Sequence, residues 1–205
     1  MIIEQPPRLL RWLFPHALWR MDQSQRSVYL TFDDGPIPEA TPYVLDVLDS
    51  LDIKATFFMV GDNAQRYPYL LEEVRRRGHR IGNHTHNHIG GFRWFSWKYL
   101  GNVQKAEDIL QTGKLFRPPR GWMKIMQYRV LRYTGWRVVM WDVVTRDYSN
   151  ILTADDVLQN VKRYTRNGSI ITFHDSLKSI DKLRQMLPEA LSWLKEQGYE
   201  FKVFD

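Results

Sequence analysis

Val28-Tyr29-Leu30-Thr31-Phe32-Asp33-Asp34-Gly35-Pro36 is an apolar run that stops abruptly at two adjacent carboxylates and a turn. The run reads as a buried strand over residues 28–32 that delivers Asp33 and Asp34 to its C-terminal end. Six further strand patterns follow it, at 55–60, 80–83, 115–117, 138–142, 169–174 and 201–204. Amphipathic helical patterns lie between them, at 42–51, 68–77, 98–111, 124–133, 154–166 and 182–196. Thr41-Pro42 reads as an N-cap with proline at the first helical position, and Thr153 with Asp156 as a capping box. Gly78, Gly113, Gly135, Gly168 and Gly198 each follow a helical run, where a left-handed residue is wanted. Strand and helix thus alternate from end to end, which predicts an α/β domain with a mainly parallel sheet. An open doubly wound sheet and a small distorted barrel both fit, and both gather ligands at the C-terminal strand ends.

The chain has 205 residues, 43% of them hydrophobic, with 29 Lys and Arg against 23 Asp and Glu, a net charge of +6. That length suits one well-buried domain. It contains no cysteine, which excludes disulfide scaffolds, cysteine-based zinc sites and thiol nucleophiles. Arg75, Arg76, Arg77 and Arg80 form the densest basic run, and three of them close a predicted helix where cations favour its dipole. No nucleic-acid motif accompanies the charge, so nucleic acid is not an expected partner. Near the N-terminus Glu4, Arg8, Arg11 and the prolines break every apolar run well short of the ~18 residues a bilayer span needs. No signal peptide is recognisable, so the expected compartment is the cytoplasm.

Chemistry-bearing residues collect after the predicted strands. Gly82-Asn83-His84-Thr85-His86-Asn87-His88 places three of six histidines within five residues, a density that points to a metal site. Positions 84, 86 and 88 align on a strand, whereas 84 and 88 align on a helical turn, so spacing leaves the chelating pair open. Phe116-Arg117-Pro118-Pro119-Arg120-Gly121 is a proline-stiffened loop carrying Arg117. The fifth strand ends in Trp141-Asp142, followed by Asp147-Tyr148, and the sixth ends in Phe173-His174-Asp175.

In this order the chain resembles the polysaccharide deacetylases with NodB homology, carbohydrate esterase family 4, from about Val28 onward. The family pattern is Thr-Phe-Asp-Asp-Gly, His-Ser/Thr-x-x-His, Arg-x-Pro-x-Gly/Tyr, Asp-x-x-Asp-Trp, and a strand ending in Leu-x-His. The first three stand here as Thr31 to Gly35, His84 to His88 and Arg117 to Gly121. The resemblance implies a distorted (β/α)7 barrel over residues 27–205, with residues 1–26 as an N-terminal extension of the same domain. It implies a divalent ion on Asp34, His84 and His88, usually zinc, with cobalt, nickel or manganese as alternatives. Asp33 would be the general base, Arg117 its orienting partner, His174 the general acid and Asp147 the partner of His174, with His86 a bystander. The implied reaction is hydrolysis of acetyl groups, above all N-acetyl groups, from an amino-sugar carbohydrate. An O-acetyl esterase and a non-catalytic carbohydrate- or lipid-binding protein are the alternatives.

Several positions depart from the pattern. Val144 replaces the first aspartate of the fourth motif and Tyr148 its tryptophan, Thr172 replaces leucine in the fifth, and Arg120 fills the variable place in the third. Arg120, Tyr148, Thr172 and Trp94 are the candidates for touching substrate. Trp94 belongs to an aromatic cluster with Phe92, Phe95, Trp97 and Tyr99 that forms either a rim beside the metal or a docking surface for the next helix. Residues 8–20 mix aromatics with Arg8, Arg11 and Arg20; they either seal the barrel or touch an anionic membrane, which would put the protein at the inner membrane face.

Overall fold

The computed structural model describes residues 4–205. The first strand, β1 (Ser27–Asp33), is buried along its whole length. Val28, Leu30 and Phe32 join the core beneath the helices, while Tyr29 faces an inner cluster with Phe58, Ile170 and Phe204. The two-residue period therefore buries both faces, as expected of a parallel strand covered on each side.

Beside it run β2 (Thr56–Met59), β3 (Arg80–Asn83), β4 (Leu115–Phe116) and β5 (Arg137–Val138) on one flank. On the other flank lie β7 (Ser169–His174) and β6 (Val143–Val144), while β8 (Glu200–Phe201) pairs with the first residues of β1. All of these pairings are parallel. The result is a curled sheet of the distorted (β/α)7 type. In the register between β1 and β7, Asp33 is paired with His174, so their Cα atoms stand one strand spacing apart.

The helices are α1 (Arg8–Leu13), α2 (Thr41–Ser50), α3 (Gly61–Arg66), α4 (Pro68–Arg76), α5 (Ser96–Leu110), α6 (Ile125–Tyr133), α7 (Ala154–Tyr164) and α8 (Ile180–Glu196). The capping box of Thr153 and Asp156 opens α7 with both reciprocal bonds. Thr41 is used differently from its expected capping role. It is the first residue of α2, its hydroxyl accepts from the Ile37 N–H, and it donates to Asp175. Arg75 and Arg76 pair with Glu72 and Glu73, and Arg77 with Glu73, Asp46 and Asp49, so this basic run is largely neutralised locally.

The strand expected at 138–142 is broken. The chain pairs with β4 at Arg137–Val138, bends, and pairs with β7 only from Val143. Residues 18–20 fill the gap, bridging Leu18 to Val139 and Arg20 to Ser169. Phe14, Ala17 and Trp19 are buried with Tyr128, Trp136 and Trp141, so much of the 8–20 segment seals the barrel. The break also relocates Asp142. It lies beside the first residue of β7, held by Arg11, Arg166 and Ser169 at 2.6–2.9 Å, at the opposite end of that strand from His174. Asp142 is thus an anchor for the extension, away from the mouth where its expected position at the end of the 138–142 strand would place it.

Candidate active site

At the end of β1 the chain turns through a left-handed Asp34, with φ of 83°. Successive carboxylates are thereby sent to different partners. Asp33 Oδ1 accepts from Arg117 Nη1 at 2.6 Å, whereas Asp34 Oδ1 lies 3.1 Å from His88 Nε2 and 3.7 Å from His84 Nε2. Gly35 is required next to them, because a Cβ there would meet Asp175 Oδ2 at 2.0 Å. The buried Asp175 carboxylate holds the turn from behind, accepting from the Gly35 N–H at 3.1 Å and the Thr41 hydroxyl at 2.6 Å. Burial pushes the Asp175 carboxyl up to about 8.

After β3 the backbone is left-handed at Thr85 and at His88, which folds the histidine segment into a tight turn. Asn83 Oδ1 and Thr85 Oγ1 accept backbone N–H groups of Thr85 and Ile89 and fix that turn. His84 and His88 meet Asp34, with one ligand atom from each of the three within 4.8 Å of the others. His86 is outside this group: its ring packs on the backbone near Gly61. His84 Nδ1 lies 2.9 Å from the Arg117 carbonyl and donates to it, which leaves the Nε2 lone pair directed at the carboxylates. Burial lowers the His84 pKa to about 4, so the ring is neutral and competent as a ligand.

Arg117 is buried and organises the base. Nη1 also donates to Thr31 Oγ1 at 2.7 Å, Nη2 donates to the Met140 carbonyl at 2.8 Å, and the guanidinium lies 4.2 Å over the Phe58 ring. Its Nε is buried without a partner, and Val144 stands where the family pattern has an aspartate.

Opposite, Asp147 Oδ1 accepts from His174 Nδ1 at 2.8 Å and Oδ2 from the His174 backbone N–H at 2.7 Å. Burial opposes a charged imidazole here, but Asp147, Asp34 and Asp33 outweigh it and raise His174 to about 9. With Nδ1 engaged, Nε2 is the nitrogen left for proton transfer. The Tyr148 ring packs edge-on against His174 at 4.8 Å.

These groups line a cavity of about 370 Å³. Arg120, Tyr148 and Thr172 also line it, as do Val144 and Lys178. Trp94 does not. Its segment turns outward into solvent, and its carbonyl accepts from Lys124; Trp122 and Trp141 form the aromatic wall instead. Neither was singled out as a wall residue by sequence, although Trp122 directly follows the proline loop and Trp141 sits where the fifth strand breaks.

The donor set can be tested against a metal. Asp34 Oδ1 is buried and is not satisfied by a protein donor, although His88 Nε2 lies 3.1 Å from it. Burial disfavours its charge, yet the neighbouring His88 and the protonated His174 hold the carboxyl well below the usual carboxylate range. An ionised oxygen and two imidazole nitrogens converging within 4.8 Å of one another fit a zinc-like divalent ion with open coordination positions.

Residues 20–139 match the family model for polysaccharide deacetylase. A peptidoglycan-N-acetylglucosamine deacetylase of Bacillus cereus is 33% identical, over 91% of this chain and 90% of that protein. A chitooligosaccharide deacetylase of Azorhizobium caulinodans is 35% identical, over 76% of this chain and 77% of that protein. Among solved structures, a peptidoglycan N-acetylglucosamine deacetylase in complex with 4-naphthalen-1-yl-N-oxidanyl-benzamide superposes with a TM-score of 0.84 at 31% identity, covering 95% and 94% of the two chains.

Proposed function

The chain belongs to the polysaccharide deacetylase family, and from that premise we propose that it hydrolyses the N-acetyl group of N-acetylglucosamine units in a glycan, with zinc as its metal. The observation that carries the reading is the convergence in one cavity of the Asp34, His84 and His88 donors with a carboxylate and an imidazole that have opposite proton-transfer roles. Asp34, His84 and His88 would hold a divalent ion, whose Lewis acidity would polarise the acetyl carbonyl and make water more acidic.

Asp33 takes the proton of the attacking water. Arg117 fixes the carboxylate through Oδ1 and leaves Oδ2, 4.0 Å from His84 Nε2, turned toward the ligand residues. His174 returns a proton to the departing amine. Asp147 keeps that imidazole protonated at neutral pH and locks its Nδ1, so the proton is delivered from Nε2. The strand register sets acid and base on adjacent strand ends, so neither depends on a mobile loop for its position. Such general acid and base steps each contribute roughly 10²- to 10⁴-fold in rate. Arg120, Tyr148, Thr172 and Trp122 would contact the sugar.

Product analysis tests the reading. Incubation with N-acetylglucosamine oligosaccharides or peptidoglycan should release acetate and leave free amines in equal amounts. Chelator should abolish the release and zinc restore it. Acetate release that persists in chelator, or release from O-acetyl groups alone, would refute it.

A further inference from the structure

The positive charge of this protein is concentrated in one stretch of the chain. Between Ile89 and Trp141 there are ten Lys and Arg but only two acids, Glu107 and Asp108, an imbalance larger than the +6 of the whole chain. The same stretch carries an exposed aromatic surface. Phe95 and Trp97 are 70% and 71% exposed, and Phe92, Trp94, Trp122 and Met126 are open to solvent beside them.

These side chains are neighbours. The Phe92 and Trp122 rings lie 6.3 Å apart, the Gly91 N–H donates to the Trp122 carbonyl at 2.7 Å, and Lys124 Nζ donates to the Trp94 carbonyl at 2.8 Å. The Lys98 ammonium sits 5.3 Å over the Trp97 ring. Among the described residues, Arg93, Lys98 and Lys124 have no carboxylate partner, unlike the paired arginines at the end of α4. The patch continues to the catalytic cavity, because Trp122 lines both. It also borders the groove between α1 and α6, where the exposed Trp12 and Ile125 stand beside Arg129 and Arg132.

We propose that this surface docks on an anionic phospholipid bilayer, with Phe95, Trp97 and their neighbours in the interfacial layer and Arg93, Lys98 and Lys124 on headgroup phosphates. Aromatic side chains gain most at the boundary between apolar and wet layers, and unpaired cations around them select a negatively charged surface. A sugar-binding platform would explain the rings but not the matching excess of unpaired cations. Docking in this way presents the mouth of the cavity to glycans held at the membrane surface. The inference does not depend on the proposed reaction, since vesicle binding is read without turnover.

The test is co-sedimentation of the full chain with vesicles of phosphatidylglycerol and phosphatidylcholine against vesicles of phosphatidylcholine alone. The expected result is binding to the anionic vesicles that weakens with salt, with a partition coefficient about tenfold or more lower on neutral ones. The F95S/W97S double variant should lose about tenfold or more of the partitioning, together with tryptophan quenching by brominated lipid, while hydrolysing soluble oligosaccharide normally. A second variant, R93E/K98E, changes only exposed charges and should lose binding to the same vesicles even if the first fails to fold. Equal partitioning of wild type and both variants, or no partitioning at all, overturns the proposal. So does concentration-dependent dimerisation, or binding to insoluble acetylated glycan, that the variants abolish while vesicle binding is absent.

Discussion

Replacing Asp147 by Asn tests the link between packing and proton transfer with nearly unchanged shape. Asp147 is fully buried and holds both the Nδ1 and the backbone N–H of His174. Burial disfavours the imidazolium, so the rise to about 9 depends chiefly on this carboxylate. Without its charge, His174 should fall back toward its ordinary value of 6.5. At pH 8 a group at about 9 is about 90% protonated and one at about 6.5 only about 3%, so loss of the acid form reaches about thirtyfold. At pH 6 the same change costs less than about twofold. A cation on Asp34 opposes protonation of His174, so the basic limb of the loaded enzyme lies below about 9 and thirtyfold is the ceiling. The assay is the pH dependence of kcat for amide hydrolysis by the two proteins.

Stability gives a second readout. Because the folded-state pKa is raised, its contribution is fully present below about 6.5 and is lost as pH rises through about 9. The shift corresponds to about 3 kcal/mol, so the Tm advantage of the wild type over Asp147→Asn should shrink steadily between those limits. A basic limb that does not move, or an equal loss of kcat at pH 6 and pH 8, would refute the reasoning.

Three other outcomes follow from the same geometry. Arg117→Met should destabilise the fold by roughly 3–5 kcal/mol in urea unfolding, because it strands the buried Asp33 carboxylate. Gly35→Ala forces a Cβ into Asp175 Oδ2 and should cost roughly 1–3 kcal/mol in stability and most of the activity; a neutral result would mean the turn is not held as described. His86→Ala should keep its full metal content by elemental analysis, since its ring lies away from the Asp34 group.

Much of the fold was legible because each strand is a short apolar run ended by a turn or a polar cluster. The bounds 80–83 and 169–174 agree with β3 and β7, and all the others except 138–142 differ by a few residues at their ends. The 138–142 run failed for a physical reason. An unbroken apolar stretch says that residues are buried, not that they pair with one neighbour throughout, and here the chain leaves β4 for β7 midway. Asp142 was misplaced as a consequence. Helix α3 (Gly61–Arg66) was missed because six mostly polar residues carry no 3.6-residue period. At the site, the choice of His84 and His88 over His86 depends on left-handed backbone at Thr85 and His88, which spacing does not encode and only the family resemblance supplied. The aromatic cluster divided: Tyr99 is buried in the core, whereas Phe92, Trp94, Phe95 and Trp97 face solvent.

Zinc titration of metal-free protein by calorimetry, paired with turnover of an N-acetylglucosamine oligosaccharide, separates ligand from base most directly. Wild type and Asp33→Asn should each bind one ion, with turnover of the variant down roughly 10²- to 10⁴-fold, while Asp34→Asn should lose the ion. An Asp33→Asn protein that cannot bind zinc, or an Asp34→Asn protein that binds it as well as wild type, would contradict the assignment of the two carboxylates.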